Sequence, residues 1–153
     1  MNERRVQHSL VMGALCGVVG LGVGIVVRVN ATGGGYEAFP LYASLAALLT
    51  GTAAWWLLVA RPAAYRSLRG VLAGALAGLV AHYVCWYLMI LGSNACYWLW
   101  GGCLSSLGEP PANPLYGLVG AAALAFGSLL LLGWLTVPTG AAIGFVLARR
   151  QSA

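Results

Sequence analysis

The chain has no lysine and no aspartate, and charged residues make up only 7% of its 153 positions, against about a quarter in an ordinary soluble domain. So few charges cannot coat the surface of a soluble protein of this size, which excludes water as the solvent for most of the chain. The net charge of +5 comes from arginine alone. These arginines sit in short clusters between apolar runs and form no continuous basic face, so no nucleic-acid partner is expected. Histidine is equally scarce, with two copies. His8 and His82 belong to different depths, which argues against a haem held between two histidines. No Gly-Lys-Ser/Thr follows Gly33-Gly34-Gly35 and no strand precedes it, so that run reads as a flexible turn and not a phosphate cradle. No nucleophile and base share a credible depth, so the chain is not expected to be an enzyme, and no cofactor or metal is expected.

What is abundant is apolar. Hydrophobic residues make up 61% of the chain and the mean hydropathy is +0.86. A hydrocarbon core of about 30 Å is crossed by roughly 20 helical residues, and residues 9–29, 39–60, 70–91 and 115–147 each meet that length. A chain in lipid must satisfy its backbone hydrogen bonds internally, and the alternation a closed barrel would need is missing. The expected fold is therefore all-α: a polytopic membrane protein, a bundle of four transmembrane helices occupying a single domain over residues 1–153. The basic start at Arg4-Arg5 resembles a signal peptide, but no convincing small-residue cleavage site follows the apolar run, so it reads as a retained first span.

Arg4, Arg5, Arg61, Arg66, Arg69, Arg149 and Arg150 flank one set of span ends. Only Arg28, with Glu37 and Glu109, falls at the other. By the positive-inside rule both termini and the central connection are cytoplasmic, in a bacterial-type inner membrane. The fourth stretch is too long for a simple crossing, and Pro138 removes a backbone donor and crowds the carbonyl of Trp134. A kink or an oblique exit is expected; a re-entrant hairpin is the competing reading.

Residues 5–19 align with 66–80, pairing Gly13-Ala14-Leu15-Cys16-Gly17 with Gly74-Ala75-Leu76-Ala77-Gly78. Pro40-Leu41-Tyr42 likewise opens the second span as Pro114-Leu115-Tyr116 opens the fourth. A tandem two-helix unit, over 5–61 and 66–150, accounts for both matches; shared Gly/Ala/Leu composition is the other explanation. Gly13 and Gly17, and Gly70, Gly74 and Gly78, recur every four residues and leave a groove that lets two backbones approach. Spans one and three are expected to pack together through these grooves.

Three further groups stand out. Cys96 and Cys103 bracket an aromatic, glycine-containing segment in the second outer loop, where a disulfide, free thiols and a redox or metal role are the alternatives. Their spacing departs from the Cys-x-x-Cys of four-helix thiol oxidases, and no histidine or further cysteine completes a zinc site. His82 is the one strongly polar ionisable group inside a span, readable as a proton relay or polar contact, or as a neutral ring bonded to a neighbouring helix. No span contains an acid, unlike small multidrug exporters that depend on a buried glutamate. The expected function is that of an accessory or scaffold protein working through helix contacts. Its partners would be the lipid bilayer and further copies of itself or other membrane proteins. The alternative is a homo-oligomeric channel or transporter for ions or small solutes, with His82, Ser44, Thr50 and Thr52 lining its path.

Overall fold

The computed structural model describes residues 3–32, 34–63, 66–104 and 108–152; Gly33, in the expected glycine turn, lies outside them. The chain is all-helical: α1 spans Glu3–Asn30, α2 Phe39–Trp55, α3 Ser67–Trp100 and α4 Pro114–Ser152. A π-helical stretch, Trp56–Ala60, carries α2 onward, closed by Arg61 N–H donating to the carbonyl of Trp56 at 2.8 Å. All four helices are long and apolar enough to cross a membrane.

Local chemistry explains the ends. Proline occupies the first turn of α2, where a missing N–H costs nothing and the ring presets φ. Pro114 opens α4 in the same way. α3 stops at Gly101, whose positive φ of 66° lets its N–H turn back to the carbonyl of Tyr97 at 2.9 Å. Nothing before Gly101 interrupts that helix, so it runs nine residues past Leu91, the expected limit. Cys96 therefore sits on α3 and not in a loop. α4 passes through Pro138 without a break, which overturns the re-entrant hairpin: losing one interior N–H is not enough to stop a helix whose apolar pattern continues on both sides.

The helices pair as two hairpins, α1 with α2 and α3 with α4, joined chiefly across α2 and α3; α1 and α3 scarcely touch. This corrects the expected partnership of the groove glycines. A Cβ at Gly13 would collide with Thr52 and the carbonyl of Leu48, both on α2. Gly70 and Gly74 lie against Gly144 and Gly140 of α4, and a Cβ at Gly78 would come 2.8 Å from the carbonyl of Thr136. The grooves are filled by the next helix in the chain because that helix also offers small residues. Gly140, Gly144 and Ala148 present the matching face, so backbone meets backbone between consecutive antiparallel helices.

The contacts also set the register between hairpins. Gly13 meets α2 at Thr52 as Gly74 meets α4 at Gly140, and Gly17 meets Leu48 as Gly78 meets Thr136. Matching Thr52 with Gly140 brings Ala53-Ala54 onto Ala141-Ala142 and Ala60-Arg61 onto Ala148-Arg149. The Pro40 and Pro114 motifs are then out of step by about four turns, so they do not occupy equivalent places in the packing. The cause is length. Phe39, the first residue of α2, packs edge-on to Trp86, and Trp86 in turn reaches Ser128 of α4. Beyond that level α3 and α4 each continue for about four more turns; Tyr42 of α2 still packs on Gly92, and the turns past it form an arm that overhangs the first hairpin.

At the opposite end, Arg69 donates to the carbonyl of Leu58 at 3.5 Å. The hairpin pairing gathers Arg4, Arg5, Arg61, Arg66, Arg69, Arg149 and Arg150 there. Trp55 fills the middle of the bundle, fully buried among Met12, Cys16, Val59, Ala73, Ala77 and Ala148, which come from all four helices.

Candidate functional site

The strongest polar cluster in the described residues is built on the α3–α4 contact. Gly74 and Gly78 bring the two backbones together, and one turn further on the same face of α3 projects His82 at α4. Its Nδ1 lies 2.9 Å from Ser128 Oγ and its Nε2 lies 2.9 Å from Thr136 Oγ1. Trp86 Nε1 donates to Ser128 Oγ at 3.2 Å. Both hydroxyls also reach backbone carbonyls of their own helix, Ser128 to Ala125 at 3.0 Å and Thr136 to Leu132 at 3.2 Å. Such i−3 and i−4 bonds let hydroxyl residues sit in an apolar helix without an orphaned group.

The imidazole borders a cavity of about 70 Å³ between the hairpins. Its walls are mostly apolar, with Gly20 and Ala47 on one side and Ala77, Gly78 and Gly140 on the other. Cys16 and Cys85, the two free thiols, also line it. Among the described residues no three His, Cys, Asp or Glu side chains come close enough to hold a metal ion.

The other hydroxyls considered for a path lie elsewhere. Ser44 donates to the carbonyl of Gly17 at 3.0 Å, in the α1–α2 contact. Thr50 donates to Ala46 at 2.8 Å and reaches Ala77 at 3.3 Å, tying α2 to α3. Thr52 packs on Gly13 with its hydroxyl unpartnered. These three and His82 therefore serve three different helix contacts and form no continuous polar line. Ser128 and Thr136, which bracket the histidine, were not singled out from the sequence. Their signal was the four-residue spacing shared by Ser128, Leu132, Thr136, Gly140, Gly144 and Ala148, the small-and-hydroxyl face that meets α3.

At the far end of the arm, Cys96 and Cys103 are joined, with an S–S distance of 2.03 Å and Cα atoms 5.9 Å apart. Asn94 fastens the same region, its Nδ2 donating to the carbonyls of Ile90 at 2.8 Å and Ala112 at 2.9 Å. Alkylation of unfolded, unreduced protein is expected to label two of the four cysteines, and all four after reduction. Cys103→Ala is expected to lower stability by about 2–3 kcal/mol through the lost closure of a short ring, read as a fall in the melting temperature; four labelled thiols without reductant would contradict the bridge.

Comparison with protein-family models, with curated proteins and with solved structures finds no match to this chain.

Proposed function

We propose that this chain is a multi-pass protein of a bacterial-type inner membrane, with both termini and the α2–α3 connection in the cytoplasm, and that it serves as an accessory or scaffold protein through helix–helix contacts. The gathering of seven arginines at one end of the bundle supports the orientation. It leaves Arg28, Glu37, Glu109 and the Cys96–Cys103 pair on the outer, oxidising side. A reporter fused to the carboxyl end is expected to be reachable only from the cytoplasm; labelling from outside the cell would reverse the topology. The matched registers of the hairpins, with Ala53-Ala54 and Ala60-Arg61 set against Ala141-Ala142 and Ala148-Arg149, favour a tandem two-helix repeat whose second copy is lengthened outward.

The scaffold reading rests on the arm. Exposed apolar side chains line α4 from Leu115 to Val146, about 47 Å at 1.5 Å per residue. Fitting that length into a core of about 30 Å would need a tilt of roughly 50°, beyond the 0–40° that membrane helices adopt. Lipid therefore leaves the outer part of the arm uncovered. There Trp98, Trp100, Leu115, Tyr116 and Val119 are each about three-quarters exposed. Such a patch fits either an aromatic belt at the membrane interface or a contact with another protein, and the scaffold reading takes it as the contact. Gly120 and Gly127 lie on the same exposed side, and a Cβ at either would meet nothing within 4 Å, in contrast to the filled grooves inside each hairpin.

Gly120→Leu combined with Gly127→Leu tests this directly. In mild detergent the wild type is expected to run larger than a single chain, while the double variant runs as a single chain with an unchanged melting temperature. A double variant that keeps its assembly would remove the arm as the contact. The alternative, a homo-oligomeric channel or transporter, is favoured by one observation only, the cavity beside His82; solute uptake by vesicles containing the purified protein would establish it in place of the scaffold reading.

A further inference from the structure

We infer that His82 is a proton-binding site whose neutral and charged forms are both completely hydrogen-bonded by one arrangement of heavy atoms. The ring nitrogens donate or accept according to the tautomer, and we assign the one in which the shorter own-helix bond is kept, 3.0 Å from Ser128 to Ala125 against 3.2 Å from Thr136 to Leu132. Ser128 Oγ receives the indole N–H of Trp86 and directs its own hydrogen to the carbonyl of Ala125. One lone pair is left, and it faces His82 Nδ1 at 2.9 Å. Nδ1 therefore carries the hydrogen in the neutral ring, and Nε2 is the acceptor. Thr136 supplies the donor Nε2 needs, at 2.9 Å.

A proton from hydronium then adds at Nε2, forming an N–H bond as an O–H bond breaks and leaving water. The Thr136 hydrogen rotates to the carbonyl of Leu132, which lies 3.2 Å from its oxygen, and that oxygen accepts the new Nε2–H. Apart from that N–H bond only hydrogen bonds are exchanged, no side chain changes rotamer, and the bound species is the proton itself. The imidazolium gains two charge-assisted hydrogen bonds in place of two neutral ones, which are roughly half as strong. The adjoining cavity, about 70 Å³, exceeds the roughly 10–15 Å³ that one water requires.

Among the described residues lining the cavity no charged side chain opposes or assists this step. From α3 the titratable group facing the same space is Cys85, and from α1 it is Cys16; α2 contributes Phe39, Ala43 and Ala47, and α4 contributes Ser128 and Thr136. The sole counterweight to the added charge is thus the pair of hydroxyl dipoles, which makes Thr136 the residue that separates proton binding from mere packing. It is the one partner whose role changes from donor to acceptor. The inference holds whether or not the arm docks another protein.

Nitrogen-15 NMR of histidine-labelled protein in lipid nanodiscs, with His8→Ala leaving a single signal set, tests it. The neutral ring is expected to be protonated at Nδ1, the less common tautomer in water. Both nitrogens are expected to become protonated as pH is lowered from 9 to 4, with no change in the backbone amide spectrum of α3 and α4. Thr136→Val is expected to lower the midpoint by about one pH unit, since the lost bond is stronger to the charged ring, and Thr136→Ser to restore it. A neutral ring protonated at Nε2, a ring that stays neutral to pH 4, or a midpoint indifferent to Thr136→Val would each overturn the assignment. The wild-type spectrum alone suffices for the first two if the valine variant fails to fold.

Discussion

Replacing Gly74 with leucine is expected to cost about 3 kcal/mol or more, and to leave little folded protein after extraction in detergent. Overpacking a core ordinarily costs about 1–3 kcal/mol because side chains can shift. At Gly74 the obstacle is main chain: the added atoms would overlap the carbonyl of Gly140, and the neighbouring Gly144 stands equally close to Gly70. Neither carbonyl can move without breaking the hydrogen-bond ladder of α4, so the helices must separate. His82 would then lose Ser128 and Thr136 together. The control is Gly22→Leu, on a part of α1 where a Cβ meets nothing within 4 Å; a change below about 0.5 kcal/mol is expected there. Thermal unfolding followed by circular dichroism distinguishes the two. Equal melting temperatures for the Gly74 and Gly22 variants would refute close backbone packing between α3 and α4.

Trp55→Ala is the second large effect, expected at about 2–4 kcal/mol. Truncating a buried aromatic in a water-soluble core costs about 3–5 kcal/mol, part of it transfer to water and part the cavity left behind. In lipid the transfer part shrinks, because a separated helix still keeps its side chain in hydrocarbon. The cavity part remains, since Trp55 is fully buried and the alanines around it, Ala54, Ala73, Ala77 and Ala148, are too short to collapse into the space. Trp55→Phe should cost no more than about 1 kcal/mol. It keeps most of the ring and removes an indole N–H that has no partner among the described residues, and a buried donor without an acceptor is itself destabilising. If the phenylalanine variant proved as unstable as the alanine variant, the indole nitrogen would have a partner and the packing account would be wrong.

Much of the architecture was legible in composition. Four helices follow from four apolar stretches with no room for an alternating pattern, and the arginines mark one end of each. The choice of partner was less legible. Gly13, Gly17, Gly70, Gly74 and Gly78 announce grooves, but a groove does not name what fills it. The face of α4 carrying Thr136, Gly140, Gly144 and Ala148 has the same four-residue repeat, and reading it alongside the α3 glycines would have paired α3 with α4. Pro40-Leu41-Tyr42 and Pro114-Leu115-Tyr116 do open α2 and α4, but at different levels of the packing: proline recurs at helix starts because φ is preset there, whatever turn of the packed helix the start occupies. At Pro138 the helix continues without a break.

By itself the sequence determined that the chain folds into helices, how many, and where the cationic ends fall, because these depend on quantities that add along the chain: hydropathy, length and charge. Tertiary structure alone decided which grooves interlock, how far the second hairpin overhangs the first, and that Ser128 and Thr136 close on the two nitrogens of His82. Those are matters of register between helices distant in sequence, settled by the approach of backbone to backbone over a few ångströms, and no local pattern encodes them.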